Sequence, residues 1–320
     1  MIYDIITFGS AVLDFFLDTK VKEKKGLLSL PAGEKIIVND IGMSTGGGGT
    51  NTAVSFCKLG LKTAYVGALG KDFGGDIILR ELKKNKIDFL GKIGKGKTGM
   101  SIILEGRKDR TIYSFKGENS ELEFKDIKIK ELKTRWVYFS SMIGESFETQ
   151  KKLIDYFYKK KTKIAFNPGK YQSILESKAI REMIKKTDVL VLNKEEAEAI
   201  VGGKNSMEKL RKLGAKIVCV TNGEREIIAS DGLYTYSAKP RGGKVVDMTG
   251  AGDSFASAFV AALMENKTLE EAIRWGCANA ESNIRVVGAK EGLLNREQII
   301  KEVKKRNVKI YKIGDMLEIK

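Results

Sequence analysis

The chain has 320 residues, 42% of them hydrophobic and 31% charged, which suits one large folded domain rather than a disordered protein. It contains no histidine, which excludes Ser-His-Asp triads, Cys-His pairs and histidine-based zinc sites, so a general base must be Asp, Glu, Lys, Tyr or Cys. Lysine supplies most of the positive charge behind the formal net charge of +16, and the sequence has no cluster of arginine and aromatic residues. We therefore interpret the charge as solvated lysines that attract anions in general, and we expect no nucleic-acid partner.

The cysteines and the first residues of the chain bear on its location. Cys57, Cys219 and Cys277 lie far apart among apolar neighbours, a pattern of small buried thiols that predicts a reducing environment. The segment Met1–Asp4 has no basic region, and no apolar run approaches the ~18 residues that a membrane-spanning helix needs. We therefore expect a cytoplasmic protein with no signal peptide and no membrane span.

The first part of the chain predicts βα units together with a separate small sheet. Apolar runs and helical spacing predict two strands and two helices, at 2–8 and 63–66 and at 50–59 and 74–86. Between 87 and 115, short β-branched segments joined by Gly- and charge-rich turns indicate hairpins. We expect lid strands at roughly 12–18, 35–43 and 99–115, inserted in the main domain as a small projecting β-sheet.

From residue 136 onward, strands alternate regularly with helices. The predicted strands are 136–141, 163–166, 188–192 and 216–221, with a hairpin of 226–230 and 233–237. The predicted helices are 147–161, 174–186, 194–201, 206–213, 251–265, 268–284 and 295–305. The alternation predicts an α/β fold with a mostly parallel central sheet flanked by helices on both faces. Because no repeat or linker interrupts the chain, we expect residues 1–320 to form a single domain.

One segment matches a nucleotide-binding motif that its context argues against. Gly91–Thr98 has the P-loop pattern G-x-x-x-x-G-K-[ST]. A P-loop needs a helix N-terminus directed at the phosphates, whereas the residues after Thr98 have the pattern of a strand. We therefore interpret this segment as a turn between two strands.

Two other glycine-rich segments each lead into a predicted helix. Gly46–Gly49 precede Asn51, whose amide can exchange hydrogen bonds with substrate hydroxyls, although a flexible loop is the alternative interpretation. In Asp247–Asp253, small residues at a helix start create an anion site from successive amides. Asp253 lies in the first helical turn, which favours a base that deprotonates an alcohol beside a phosphoryl group over a residue that only complements the helix dipole.

These segments are similar to the two signatures of the ribokinase-like (PfkB) carbohydrate kinases. Gly46-Gly-x-Gly-x-Asn51 matches the first signature, and Asp247-x-Thr-Gly-Ala-Gly-Asp253 matches the second. Further matches extend the resemblance over essentially the whole chain, at Gly9-Ser10-x-x-x-Asp14, Gly67-x-Leu-Gly70-x-Asp72, Asn193-x-x-Glu196, Thr221-x-Gly223, Ala278-Asn279-Ala280 and Gly288-Ala289. The resemblance implies a ribokinase-like fold in which the small β-sheet is a lid, commonly also a dimer interface.

The resemblance also implies roles for individual residues. Asp253 would be the catalytic base, and the amides of Gly250, Ala251 and Gly252 would hold the transferred phosphoryl group. The residues that would bind the substrate are Asp14, Gly47, Gly48 and Asn51. Those that would bind ATP and its Mg²⁺ are Asn193, Glu196, Thr221, Gly223 and Asn279, with Glu196 acting on the Mg²⁺ directly or through water. Asp247 and Thr249 would supply oxygens to a monovalent cation such as K⁺.

Some positions depart from the family pattern. Glu226 stands where the family usually has glycine, near the nucleotide phosphates. Val12 and Gly48 stand where ribokinase itself has Asn and Lys, and Ser141–Ile143 follow a strand where ribokinase offers a Glu. Since three contacts to ribose are missing, ribose is not the expected substrate.

The expected function is an ATP-dependent kinase acting on a hydroxyl of a sugar or sugar-like alcohol, as a homodimer through the lid. An alternative is a nucleoside kinase, for which Arg110 and Thr111–Phe115 would form an aromatic wall for the base, unless they are plain lid core. A further alternative is a non-catalytic sugar- or nucleotide-binding regulator, which an intact Asp253 argues against. Nucleic-acid binding would instead predict a steep salt dependence of affinity.

Overall fold

A computed structural model describes residues 2–19, 21, 23–24, 27–106, 110–203, 206–305 and 310–312. The strands are β1 (Tyr3–Phe8), β2 (Val12–Asp18), β3 (Glu23–Lys24), β4 (Leu27–Leu28), β5 (Asp40–Gly46), β6 (Thr63–Val66), β7 (Ala68–Gly70), β8 (Asp88–Phe89), β9 (Lys92–Gly94), β10 (Gly99–Glu105), β11 (Arg110–Phe115), β12 (Thr134–Phe139), β13 (Lys163–Phe166), β14 (Val189–Asn193), β15 (Ile217–Asn222), β16 (Glu226–Ser230), β17 (Thr235–Ala238) and β18 (Ile310–Lys312). The helices are α1 (Gly48–Lys58), α2 (Phe73–Lys84), α3 (Glu145–Lys159), α4 (Gly169–Leu175), α5 (Ser177–Ile184), α6 (Lys194–Val201), α7 (Ser206–Lys212), α8 (Ala251–Met264), α9 (Leu269–Asn283) and α10 (Arg296–Lys305). Short 3₁₀ helices lie at Gly117–Ser120, Phe124–Asp126 and Ile129–Glu131. Among the described residues, no helix combines the length and the apolar character needed to cross a membrane.

The main sheet has the strand order β18-β17-β16-β15-β14-β13-β12-β1-β6-β8. It is parallel from β8 to β15 and antiparallel from β15 to β18. Alternate residues of β1 point to opposite faces, so that Ile6 packs in one apolar layer with Ile154 of α3, and Ile5 in another with Phe259 of α8. The predicted α/β fold, with helices on both faces of a mostly parallel sheet, is confirmed.

The lid is a second sheet with the strand order β11-β10-β2-β5. Strand β2 pairs in parallel with β10 and antiparallel with β5, and β10 and β11 form a hairpin. The lid strand predicted at 35–43 was wrong in its bounds. Pairing with β2 begins at Asp40 and runs to Gly46, so the glycine-rich segment starts within the sheet and residues 35–39 lie outside it.

Two predictions within the main layers were also wrong. Residues 87–90 do not belong to a hairpin: Asp88 and Phe89 pair in parallel with β6, because α2 supplies the crossover connection that a parallel pair requires. The helix predicted over 174–186 is two helices, α4 and α5, which are separated at Glu176, where the backbone leaves the helical region with φ −119° and ψ 24°.

The P-loop-like segment Gly91–Thr98 contains β9 and the turn that connects β9 to β10, so the predicted turn between strands is present in its second half. Its amides bind protein carboxylates: Thr98 N donates to Asp72 Oδ2 at 2.9 Å, and Gly96 N donates to Glu118 Oε1 at 2.6 Å. A strand and not a helix follows Thr98, so the segment presents no helix N-terminus to a phosphate.

Candidate active site

The position of Asp253 depends on the glycine that precedes α8. Gly250 adopts a left-handed conformation with φ 73° and ψ 4°, which glycine adopts without steric cost. A Cβ at Gly250 would lie 2.8 Å from the Cβ of Ala289, so close packing also requires glycine there. The chain then enters α8, whose apolar residues such as Phe259 anchor it in the core. Asp253 is thereby held in the first turn of a fixed helix.

Asp253 and Asn51 form the centre of the site. Asn51 Nδ2 donates to Asp253 Oδ2 at 2.8 Å, while Asn51 Oδ1 is buried without a hydrogen-bond partner among the described residues. Burial raises the pKa of the Asp253 carboxyl above its ordinary value, although the Asn51 hydrogen bond and the charge of Lys290 act in the opposite direction. A half-buried carboxylate beside an unpaired amide oxygen can bind a hydroxyl group and accept its proton.

A cavity of about 330 Å³ opens in front of Asp253, and its wall includes Gly48 and Gly250–Gly252. A Cβ at Gly252 would meet only open space, whereas a Cβ at Gly48 would lie 2.9 Å from Ser140 Cβ. These glycines therefore leave room for reacting groups beside the carboxylate. Since the first amides of a helix have no intrahelical acceptor, the start of α8 also suits an anion.

Asn193 and Glu196 lie on the wall of the same cavity. They form a capping box at the start of α6, in which Asn193 Oδ1 accepts from Glu196 N and Glu196 Oε2 accepts from Asn193 N, both at 2.9 Å. Burial raises the pKa of Glu196, and the negative charge of Asp253 raises it further. The wall of the cavity thus carries the carboxylates of Glu196 and Asp253 and the hydroxyl of Thr221. None of the described residues that line it is a lysine or an arginine. This oxygen-rich donor set fits Mg²⁺.

The inner face of the lid brings a row of polar side chains to the site. Asp14 lies level with Ser44 on β5 and Ser101 on β10, and Ser101 lies level with Ser114 on β11. Burial raises the pKa of Asp14, opposed by a hydrogen bond from Ser101 and by nearby positive charges. Because strand residues in register share one face, the row offers one buried carboxylate and three hydroxyls to an acceptor.

The outer face of the lid is apolar. Met43, Phe15, Ile102 and Tyr113 form the neighbouring cross-strand row, and Met43 and Tyr113 are 50% and 57% exposed. Tyr113 therefore does not contribute to the aromatic wall for a nucleobase that was predicted for Thr111–Phe115. The alternative interpretation, that these residues are buried lid core, is also wrong for Tyr113. Strand alternation turns this ring away from the polar row.

The structure adds two lysines, Lys116 and Lys290, that sequence analysis did not select. Lys290 Nζ is buried and donates to Glu81 Oε2 at 2.6 Å and to Thr45 Oγ1 at 2.9 Å. Burial lowers the pKa of Lys290, while Glu81 and Asp14 favour its charged form. The only sequence signal for Lys290 was its position directly after Gly288-Ala289.

Seven predicted site residues do not line this cavity, namely Asp14, Gly47, Asn51, Gly223, Asp247, Thr249 and Asn279. Asn279 lies inside the core, where its Nδ2 donates to Ser254 O at 2.8 Å and its Oδ1 accepts from Leu294 N at 2.9 Å. Gly223 lies in the turn before β16 with φ 54°, and Gly47 precedes α1 with φ 97°. Asn279 thus connects α9 to α8, because its side chain points between those helices.

Asp247 and Thr249, predicted to bind a monovalent cation, are instead bound to protein donors. Asp247 Oδ1 accepts from Thr249 N, Thr249 Oγ1 and Arg110 Nη1 at 2.8, 2.6 and 2.6 Å, and Asp247 Oδ2 accepts from Gly288 N at 2.9 Å. Burial alone would raise the pKa of Asp247, but these donors together hold it below its ordinary value. Both carboxylate oxygens accept hydrogen bonds from the protein in this arrangement, and the binding of a monovalent cation by Asp247 and Thr249 stays a prediction.

Comparison with known proteins agrees with this geometry. Residues 4–296 match the family model described as pfkB family carbohydrate kinase. An ATP-dependent 6-phosphofructokinase from Thermoanaerobacterium thermosaccharolyticum is 27% identical over 301 residues, covering 90% of this chain and 89% of the relative. A ribokinase from Thermotoga maritima superposes with a TM-score of 0.82 at 26% identity, over 94% of this chain and 99% of that one. A nucleoside kinase from Methanocaldococcus jannaschii shares the fold, with a TM-score of 0.80 at 21% identity, over 95% and 99% of the two chains.

Proposed function

The chain belongs to the pfkB family of carbohydrate kinases, and from this premise we propose that it transfers the γ-phosphoryl group of ATP to a hydroxyl of a small sugar or sugar-like alcohol. Members of the family are phosphotransferases that act on an alcohol group, and one relative is an ATP-dependent enzyme. The observation that carries the proposal is the hydrogen bond from Asn51 of α1 to Asp253 at the start of α8, where the carboxylate and the amides of Gly250–Gly252 line one cavity.

The proposed reaction is a direct transfer from ATP to the acceptor hydroxyl. The acceptor hydroxyl binds between Asn51 and Asp14, and its proton passes to the carboxylate of Asp253. The hydroxyl oxygen then forms a bond with the γ-phosphorus, and the bond from that phosphorus to the bridging oxygen breaks, releasing ADP. The amides of Gly250–Gly252 donate to the phosphoryl oxygens, which carry the charge during transfer.

Mg²⁺ fits the nucleotide side of this cavity. Glu196 is a buried carboxylate whose pKa is raised by burial and by Asp253, so a cation nearby would relieve an unfavourable charge. Glu196 would hold the ion directly or through water, with Asn193 and Thr221 beside the phosphates. When bound, Mg²⁺ neutralises part of the phosphate charge, which no lysine or arginine among the described wall residues does.

Asp253→Asn tests the proposed base. Asn keeps the shape and the hydrogen bond to Asn51 but cannot accept a proton, so we expect kcat to fall by about 10²–10⁴-fold. Nucleotide and acceptor should still bind, because the rest of the wall is unchanged. The measurement is turnover and calorimetric binding on one preparation, with thermal unfolding as the control for folding. A well-folded variant with unchanged turnover would remove Asp253 from the mechanism and favour a binding protein without catalysis.

A nucleoside kinase is the second candidate function. The fold occurs in a nucleoside kinase, and a second cavity under the lid, lined by Met142 and Phe147, has about 400 Å³, enough for a base. A coupled assay of ADP release over pentoses, hexoses, sugar acids, sugar phosphates and nucleosides separates the two functions.

The outer face of the lid supports the proposal of a homodimer. Ile41, Met43, Tyr113 and Phe115 are all at least half exposed there, and a contiguous apolar patch on a small sheet suits contact with a second copy. Tyr113→Glu places a charge in this patch. We expect it to shift the sedimentation equilibrium from dimer to monomer, and a wild-type monomer would contradict the proposal.

A further inference from the structure

The second cavity borders two of the chain segments that also line the first. It lies between the end of β11, the segment that follows β12, and α4. Ser141 and Gly169 line the first cavity, whereas Met142, the next residue after Ser141, and Tyr171, two residues after Gly169, line the second. The two cavities therefore border the same two segments of chain. A molecule with its hydroxyl at Asp253 has this space available for its other end.

Lys116 is the charged group that the lid brings to this cavity. It directly follows β11 and is separated from Ser114 and Ile112 by two and four residues, the spacing of side chains on one face of a strand. Ile112 and Ser114 line the cavity as well. Ser114 lies level with Ser101, which in turn lies level with Asp14. Lys116 therefore lies next to the end of the polar row that we propose for the acceptor hydroxyls.

Among the described residues, the ammonium group of Lys116 has no anionic partner at contact distance. Its Nζ lies 5.4 Å from the ring centroid of Tyr171, and it takes part in none of the ion pairs formed by the described residues. The side chain is half-buried, and burial lowers the pKa of Lys116, against the favourable but more distant charge of Asp14. Removing an ammonium group from water is unfavourable unless an anion replaces the lost hydration. The surroundings of Lys116 therefore favour an anion that comes from outside the chain.

The rest of the cavity is consistent with a sugar derivative. Gln172 is buried, and its Nε2 donates to Met142 O at 2.8 Å and to Gln150 Oε1 at 2.7 Å. Its Oε1 is buried without a partner among the described residues, so it can accept a hydrogen bond from a hydroxyl. Glu176 also lines the cavity but is exposed, so an anion would bind at the Lys116 end.

We propose that this cavity binds the distal end of the acceptor and that Lys116 pairs with an oxyanion there, so that the substrate is a sugar derivative carrying a carboxylate or a phosphate. This inference rests on the proposed kinase function. A partly buried ion pair is stronger than one in water, because the low-polarity walls formed by Met142 and Phe147 screen it less. A nucleoside would fill the same space but leave the ammonium group unpaired.

The test compares charged acceptors with neutral counterparts in the full-length protein. D-Gluconate and its 2-keto-3-deoxy derivative represent carboxylates, D-fructose 6-phosphate represents phosphates, and D-glucitol, D-fructose and cytidine are the uncharged probes. Each is measured by ADP release and by calorimetric binding, with wild type, Lys116→Met, Lys116→Arg and the control Lys95→Met. Lys95 is an exposed lysine in the turn between β9 and β10, so its replacement makes the same change in net charge away from the cavity.

We expect a charged acceptor to be preferred, and Lys116→Met to raise KM for it by roughly 10- to 100-fold, as for the loss of a hydrogen bond to a charged group. KM for neutral probes and the nucleotide affinity should stay unchanged, Lys116→Arg should retain the preference, and Lys95→Met should match wild type. If KM rises in Lys116→Met for the sugar acids, the anion is a carboxylate, and if it rises for D-fructose 6-phosphate, the anion is a phosphate. Equal use of neutral and charged acceptors, or a preference for cytidine that Lys116→Met leaves intact, overturns the inference while the kinase function stands. If no acceptor is phosphorylated, the proposed function fails, and calorimetric binding of the same compounds decides the inference alone.

Discussion

The guanidinium group of Arg110 joins the lid to the loop that precedes α8, with Nη1 donating to Asp247 Oδ1 at 2.6 Å and to Thr249 Oγ1 at 2.7 Å. Arg110 begins lid strand β11, and Thr249 is followed directly by Gly250 of the anion site. The contact therefore connects the position of the lid to the start of α8, where the phosphoryl group would bind.

Replacing Arg110 tests this connection. Arg110→Met removes a hydrogen bond to a charged group, worth about 1.5–3 kcal/mol, so we expect kcat/KM to fall by roughly 10- to 150-fold. Nucleotide affinity should change little, since Arg110 does not line the first cavity, where we propose that the nucleotide binds. Arg135→Met is the matched control, because Arg135 pairs with Asp4 at the protein surface. Equal kcat/KM values for Arg110→Met and wild type would contradict the connection.

The pH dependence of the reaction should follow Asp253. Only the ionised carboxylate can accept a proton, so kcat/KM should rise as the pH rises through the pKa of Asp253, which burial raises above its ordinary value. The positive charge of Lys290 opposes that shift, so Lys290→Met should move the acid limb of the pH profile to higher pH.

Stability needs its own control in this experiment, because Lys290→Met leaves Glu81 without its buried partner. Breaking a buried ion pair costs about 3–5 kcal/mol, so the single variant should unfold at a lower temperature. The double variant Lys290→Met/Glu81→Gln removes both charges and should recover part of that loss. The acid limb should remain shifted in the double variant. A pH profile identical to wild type in both variants would exclude an electrostatic effect of Lys290 on the base.

Asp14→Asn tests recognition of the acceptor. Asp14 is buried in the polar row of the lid, where a hydrogen bond that a substrate hydroxyl donates to its carboxylate is worth about 1.5–3 kcal/mol. We expect KM for the acceptor to rise by roughly 10- to 150-fold, with nucleotide affinity unchanged. Steady-state kinetics with the acceptor varied, and calorimetry with ATP, provide the measurements. Weaker nucleotide binding at an unchanged KM would assign Asp14 to the other substrate.

Lys97→Ala tests the P-loop-like segment. Lys97 is exposed in the turn before β10, and the neighbouring amides already bind Asp72 and Glu118. We therefore expect wild-type affinity for ATP in a calorimetric titration, with any effect confined to KM for the acceptor through the lid. A large loss of nucleotide affinity would show that Gly91–Thr98 does bind phosphate.

Much of the fold could be predicted from the sequence because its signals are local. Alternation with period two, helical spacing and turn residues placed the strands and helices of the main layers, and glycines before Asn51 and Asp253 marked two helix starts. The bounds of β5 were missed because pairing with β2, and not the local sequence, extends that strand through Gly46. The position of Lys116 on the inner face of the lid could have been inferred from the sequence, because it lies two residues after Ser114 and strand side chains alternate between the two faces.

The sequence alone determined that this is an α/β protein without histidine chemistry, in which Asp253 begins a helix behind small residues. Only the tertiary structure decided which groups meet there. Asn51 and Asp253 are 202 residues apart, Lys290 and Glu81 are 209 apart, and Arg110 and Asp247 are 137 apart. It also turned Asn279 into the core and Lys116 toward a cavity. Local propensity specifies the elements, but contacts between distant side chains depend on how the sheet, the helices and the lid pack, and no periodicity in the chain encodes that packing.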